Sequence, residues 1–219
     1  MKKTIAVLLS LVMLLGLAAC GNSASQTEQP STEADSSAST DVSESRPEET
    51  DAPDAQGSKV LVAYFSATGT TKGAAEHIAN GLNADLYEIV PEDPYTEADL
   101  DYNDSGSRTT IEMNDPDARP AISGSVEDMD QYTIVFIGYP IWWGDAPRII
   151  STFMESYDFS GKTIVPFCTS GGSGIDSSAA SLGRLTSGAV WLSGRRLNGS
   201  DSQEAVMEWV DSLGLHVEE

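Results

Sequence analysis

Between Lys59 and Lys72 the chain reads Lys-Val-Leu-Val-Ala-Tyr-Phe-Ser-Ala-Thr-Gly-Thr-Thr-Lys. The apolar run from Val60 to Phe65 stops abruptly at a group of hydroxyls and a single glycine. An unbroken apolar run of that length fits a parallel strand covered on both faces. Past the hydroxyls, Ala74, Ala75, Ile78, Ala79 and Leu82 recur at helical spacing, which predicts a helix laying a small apolar face on the sheet. The expected unit is a strand, a tight loop and a helix N-terminus.

Such a junction collects unpaired backbone N–H groups and the positive end of a helix dipole, an arrangement suited to a phosphate. Ser66, Thr68, Thr70 and Thr71 add hydroxyl donors, and Gly69 permits a sharp turn and close approach of the backbone. No Gly-Lys-Ser/Thr ending follows, so a nucleoside-triphosphate loop with its magnesium ligand is not supported, and the three-glycine dinucleotide fingerprint is absent. The plain structural alternative is an ordinary capped helix after a Thr-rich turn.

Strand, loop and helix then recur. Asp85–Val90 alternates as a second strand ended by Pro91. The long stretch 91–131 reads as a crossover, with a weak helix around Glu97–Met113 interrupted by Gly106 and an irregular remainder. Tyr132–Tyr139 is a third, continuous apolar strand. Pro140, Ile141, Trp142, Trp143 and Gly144 follow it, and Asp145 with Pro147 reads as a helix start. Two adjacent indoles in such a loop cannot both be core, so at least one is expected to be exposed or to cover a ligand. Thr163–Cys168 is a fourth strand in which Pro166 suggests a bulge, and Thr169, Ser170, Gly171, Gly172, Ser173 and Gly174 form a third loop. Cys168, with no nearby His, reads as a packing thiol. Ala189–Leu192 is a short fifth strand, Arg195 and Arg196 fall in a solvated turn, and Ser200–Gln203 has capping-box spacing before a terminal amphipathic helix. His77 and His216 stand apart without metal-ligand spacing.

Five strands alternating with helices predict an open, doubly wound parallel sheet with ligands at the carboxyl ends of its strands. Ser66-x-Thr68-Gly69-x-Thr71 after a first strand, with the two later loops, resembles flavodoxins and flavodoxin-like proteins from Lys59 to about Leu215. The resemblance implies a flavodoxin-like α/β fold of strand order 2-1-3-4-5 and an FMN held without a metal. By that resemblance Ser66, Thr68, Gly69, Thr70, Thr71 and the Ala67 backbone contact the phosphate. Pro140, Ile141, Trp142, Trp143 and Gly144 flank one side of the flavin ring, and Thr169, Ser170, Gly171, Gly172 and Ser173 line the other. The implied function is a low-potential electron carrier, because an acidic domain and an apolar indole disfavour the anionic reduced flavin. An FMN-dependent NAD(P)H:quinone-type oxidoreductase and a flavin-free binding lipoprotein are the alternatives. The expected partner is a redox protein or a small-molecule electron acceptor. With a net charge of −22 no nucleic-acid partner is expected, and the protein is expected to be monomeric.

The first residues set the expected location. Met1-Lys2-Lys3 and the apolar run Ile5–Leu17 read as a secretion signal, and Leu17-Ala18-Ala19-Cys20 resembles a bacterial lipobox. Residues 1–20 are thus a lipoprotein signal with lipidation at Cys20, residues 21–58 an acidic Ser/Thr-rich linker expected to be disordered, and residues 59–219 the folded domain. The implied place is the outer face of a bacterial cytoplasmic membrane, reached through a lipid anchor alone. Lys2-Lys3 lacks the twin-arginine pattern, so the flavin is expected to bind after export.

Overall fold

The computed structural model describes residues 58–215. The signal segment with Cys20, and all of the linker except Ser58, lie outside the described residues, as does His216. Among the described residues no helix is long and apolar enough to cross a membrane.

Strand β1 (Val60–Tyr64) is buried along its whole length and is followed by α1 (Thr70–Leu82). Strand β2 (Asp85–Glu88) pairs with β1 on one side, and β5 (Ile134–Pro140) on the other. Next to β5 lies β6 (Thr163–Thr169), and beyond it two short pieces, β7 (Val190–Trp191) and β8 (Arg195–Leu197). Every pairing in this sheet is parallel, in the order β2-β1-β5-β6 with the fifth position shared by β7 and β8. This is the flavodoxin-like 2-1-3-4-5 arrangement. Side chains alternate to two cores. Val60, Val62 and Tyr64 pack with Ile78 of α1 and with Val206, Trp209 and Val210 of α5 (Gln203–Ser212). Leu61, Ala63 and Phe65 pack on the other face with Ile149, Ile150 and Phe153 of α3 (Arg148–Glu155) and Leu182 of α4 (Asp176–Gly183).

Pro166 explains the divided fifth strand. Leu192 donates its N–H to the Ile164 carbonyl at 2.9 Å, so Ile164 faces the fifth strand and, two residues on, Pro166 faces it too. Proline has no N–H to offer there. The pairing lapses beside it and resumes at Phe167 with Arg195, while toward β5 the ladder runs through Pro166 without the expected bulge. Gly194 lies where a Cβ would strike the Pro166 carbonyl, 2.5 Å away. Arg195 and Arg196 are therefore strand residues, in place of the solvated turn expected of them.

Other boundaries also move. The second strand ends at Glu88, and Val90–Pro91 (β3) turns away to pair antiparallel with Ile122–Ser123 (β4) in a separate two-stranded sheet. The helix expected over 97–113 forms only as α2 (Arg108–Asn114), capped by Ser107. Upstream, the Asp101 carboxylate accepts from Asn103 N–H at 2.9 Å and Asp104 from Gly106 N–H at 2.8 Å, local bonds that compete with helix. Pro147, rather than Asp145, is the cap position of α3, and Ser202, rather than Ser200, caps α5 by accepting from Ala205 N–H.

Candidate functional site

The carboxyl ends of β1, β5, β6 and β8 open into one cavity of about 750 Å³. Ser66, Ala67, Thr68, Thr70 and Thr71 line it from the first loop, Pro140, Ile141, Trp142 and Trp143 from the second, and Thr169, Ser170 and Gly171 from the third. Three loops far apart in sequence thus meet as the sheet order requires. Gly69, Gly144, Gly172 and Ser173 are not on its wall, and they shape the loops instead. Gly69, at the cap position of α1, has φ +86°, and a Cβ there would meet nothing within 4 Å. The turn calls for this glycine. Ser170 Oγ donates to the Ser173 carbonyl and accepts from Gly172 N–H, closing the third loop on itself.

The first loop presents unused donors. Helix α1 has no side-chain cap and no acidic residue in its first turn, so the N–H groups at its start have no acceptor within the helix. Ser66 Oγ is buried and lacks a hydrogen-bond partner among the described residues. A buried hydroxyl without a partner costs free energy that an acceptor in the cavity would return. Thr71 and Thr169, both buried, share a hydroxyl hydrogen bond of 2.8 Å that ties the first loop to the third. Ile141 N–H donates to the Thr169 carbonyl at 3.0 Å and ties the second loop to the third.

The two indoles differ in kind. Trp142 and Asp145 exchange both backbone hydrogen bonds, at 2.9 Å each, around Trp143 (φ +48°) and Gly144 (φ +80°). Two successive positive φ values mark a type I′ turn. Trp142 stands edge-on to Phe65 and Tyr95, with ring centroids 5.5 and 5.3 Å away. Trp143 remains 46% exposed.

The crossover supplies a wall that the strand-end rule did not foresee: Leu100, Tyr102 and Thr109 also line the cavity. It is fastened in two places. The Tyr95 hydroxyl donates to Glu112 at 2.7 Å, and Arg108 donates to the same carboxylate at 2.7 Å while lying 4.1 Å over the Tyr95 ring. Burial first, and then the bond to Glu112, raise the Tyr95 phenol pKa far above its ordinary value. At the other end of α2, Arg148 donates to the carbonyls of Met113 and Asp115 at 3.0 and 3.1 Å and pairs with Asp145 at 3.4 Å. Leu197 at the end of β8, with Asn198 and Gly199 after it, completes the cavity wall. The strand-end rule would have found these three had the fifth strand been carried past Leu192. Cys168 is buried below the site, and burial pushes its thiol up to about 11. Among the described residues no group of three or more His, Cys, Asp or Glu could hold a metal ion.

Sheet order, loop placement and an anion-ready first loop agree with a match of residues 59–213 to the flavodoxin family. The chain belongs to the flavodoxin family. A candidate flavoprotein from Bacteroides eggerthii DSM 20697 is 51% identical over 72% of this chain and 99% of its own, with a TM-score of 0.69. One from Bacteroides uniformis ATCC 8492 is 47% identical over 71% and 99%, with a TM-score of 0.68. A flavoprotein from Lactobacillus acidophilus NCFM, solved in complex with FMN, shares the fold at 22% identity and a TM-score of 0.54, over 72% and 99%. No curated protein matches the chain. In this flavodoxin-family chain, residues of the 91–131 crossover reach the site itself.

Proposed function

We propose that the cavity binds FMN and that the protein passes electrons between a donor and a redox protein or small-molecule acceptor. The observation that carries this reading is the first loop, where the buried Ser66 hydroxyl, unpartnered among the described residues, and the uncapped start of α1 both lie on the cavity wall. Ser66, Thr68, Thr70 and Thr71 would hold the phosphate, with Gly69 setting the turn. Pro140, Ile141 and Trp142 would bound one side of the ring, and Thr169, Ser170 and Gly171 the other. Bound FMN supplies reversible one- and two-electron transfer. The chain's part is to hold it, exclude water from one face and set its potential. Charge added on reduction meets an acidic protein and apolar indole and tyrosine rings, which favours a low potential. An absorbance spectrum of the protein with added FMN, followed by stepwise reductive titration, tests this. A bound yellow chromophore with a midpoint below that of free FMN is expected, and a colourless protein would leave the flavin-free binding reading.

A second reading, an FMN-dependent NAD(P)H:quinone-type oxidoreductase, is favoured by the crossover wall of Leu100, Tyr102 and Thr109, which extends the cavity beyond the three strand-end loops. Steady-state turnover with nicotinamide and quinone separates the two. The lipobox-like Leu17–Cys20 supports an anchored, exported protein that acquires its flavin outside the cell. Cys20→Ser is expected to release it from the membrane fraction or leave it as precursor, and flavin-loaded wild type soluble in the cytoplasm would contradict this.

A further inference from the structure

Asn-Gly occurs twice in the chain, at Asn80–Gly81 and at Asn198–Gly199. In this dipeptide an asparagine side chain is most open to attack by the next backbone nitrogen, because glycine puts no Cβ in the way. All four residues are exposed, so exposure does not tell the pairs apart. The backbone does. Gly81 lies inside α1, where its N–H belongs to the helical ladder. Asn198 and Gly199 follow β8 in a turn closed by Asp201 N–H, which donates to the Asn198 carbonyl at 3.1 Å, and the Gly199 N–H makes no hydrogen bond among the described residues. The Asn198 amide is also polarised. Arg196 donates to its Oδ1 at 3.2 Å, and its Nδ2 donates to Asp201 at 3.2 Å. A guanidinium on Oδ1 draws charge from Cγ and stabilises an oxyanion forming there. Asp201 stays ionised, since the backbone and then the side-chain bond from Asn198 lower its pKa.

We propose that Asn198–Gly199 is a self-modifying site, at which the Gly199 nitrogen attacks the Asn198 side-chain carbonyl carbon and a neutral residue becomes a carboxylate. The Gly199 N–H proton passes to water as the new N–Cγ bond forms. The Cγ–Nδ2 bond then breaks, and Nδ2 leaves as ammonia after taking a proton from water. One further water opens the cyclic imide and leaves aspartate or isoaspartate at 198. Water is the only co-reactant. The product sets a carboxylate against Asp201 where a donor stood, so the turn loses a tie. It also adds negative charge to a cavity wall shared with Thr68, Thr70 and Thr71. Gly199 is so near the first turn of α1 that a Cβ on it would lie 2.8 Å from Thr70 Cγ2. The modified protein should therefore hold a phosphate-bearing ligand more weakly. That effect rests on the reading that this loop takes the FMN phosphate, whereas the modification itself does not.

The test uses the full chain, incubated at neutral and at mildly alkaline pH, with tryptic mass mapping to read the amide-to-acid mass gain at each asparagine. Asn198 is expected to react about tenfold or more faster than Asn80, whose neighbouring nitrogen is freed only when the helix opens locally, and faster still as pH rises. Gly199→Ala combined with Thr70→Ser, which makes room for the new Cβ, should slow the reaction about tenfold. Arg196→Leu should slow it about threefold. Asn198→Asp, the product made directly, should bind FMN about tenfold more weakly and riboflavin within about twofold of the wild type, with the difference shrinking as salt is added. The site is refuted if Asn198 reacts no faster than Asn80, or if the Gly199→Ala and Thr70→Ser combination reacts as fast as the wild type. An unchanged rate in Arg196→Leu would overturn the part given to the guanidinium. Equal losses of FMN and riboflavin in Asn198→Asp would overturn the effect on the phosphate. A wild type that takes up no FMN removes the function proposed above and the effect on it, while the mass gain at Asn198 decides the modification by itself.

Discussion

The hydroxyls of Thr71 and Thr169 meet at 2.8 Å, both residues buried, and this bond joins the first turn of α1 to the carboxyl end of β6. Thr71→Val leaves the Thr169 hydroxyl buried without its partner, an expected loss of about 1–3 kcal/mol in urea unfolding of the FMN-free protein. Thr169→Val should cost a similar amount. Replacing both removes the orphan, so the double variant should be more stable than the sum of the single losses predicts. Simple additivity would mean that the bond does not hold the two loops together.

Ser66 inverts that logic. Its hydroxyl is buried and has no partner to lose among the described residues, so Ser66→Ala should leave the FMN-free protein as stable or slightly more so. FMN affinity should fall by about ten- to a hundredfold, the equivalent of one charge-assisted hydrogen bond. Riboflavin, lacking the phosphate, should bind as before. Equal losses for the two ligands would show that Ser66 does not serve a phosphate. Gly69→Ala is a poorer probe, because strain at φ +86° costs about 1–2 kcal/mol of folding whatever the ligand.

The adjacent indoles should respond in opposite ways. Trp142 packs against Phe65 and Tyr95, and Trp142→Ala is expected to cost about 2–4 kcal/mol of stability. Trp143→Gly relieves a left-handed backbone at φ +48°, a gain of about 1 kcal/mol offset in part by glycine's freedom in the unfolded chain. Fluorescence of bound flavin should rise more in Trp142→Ala than in Trp143→Gly. If Trp142→Ala leaves stability and emission unchanged, the packed indole has no part in the site.

Legibility of the fold followed burial. Strands β1, β5 and β6 are covered on both faces, so their apolar runs stood out; their alternation with helices pointed to a parallel sheet, and the strand order came from the resemblance to flavodoxins. The first piece of the fifth strand was legible at Ala189–Leu192, but the second, β8, was not, because it lies at the sheet edge with Arg195 and Arg196 exposed and because Pro166 on the neighbouring strand separates it from β7. The three site loops were legible as turn chemistry at strand ends. The wall made by the crossover was not: Tyr102 is solvent-facing in an acidic turn region without periodicity. The contacts that seat Tyr95 and Arg148 span 17 to 35 residues, beyond the reach of any local pattern.

A last prediction concerns pH and lies away from the cavity, where Asp85 in β2 accepts from the Tyr132 hydroxyl at 2.7 Å and pairs with Lys59 at 2.9 Å. Lys59 first, and then Tyr132, lower the pKa of the Asp85 carboxyl. Its contribution to stability is therefore full above the unfolded carboxyl value of about 4 and is lost as pH falls through the lower folded value. Tyr132 behaves in the opposite sense. Burial first, and then the bond to Asp85, push its phenol up to about 12. Its contribution is full below the unfolded value of about 10 and is lost as pH rises through the folded one. Both side chains of the Asp85–Lys59 pair are about half exposed, so the acid-side effect is reduced by solvent screening. Asp85→Asn should make the acid limb of the stability curve shallower. It should also move the Tyr132 titration down from about 12 only part of the way, since burial is the larger cause and remains. Tyrosinate absorbance of Asp85→Asn, read as a difference against a Tyr132→Phe variant in the same background, measures that shift. An unchanged titration would show that the Asp85 bond does not act on Tyr132, and a full return to the ordinary value would show that burial does not.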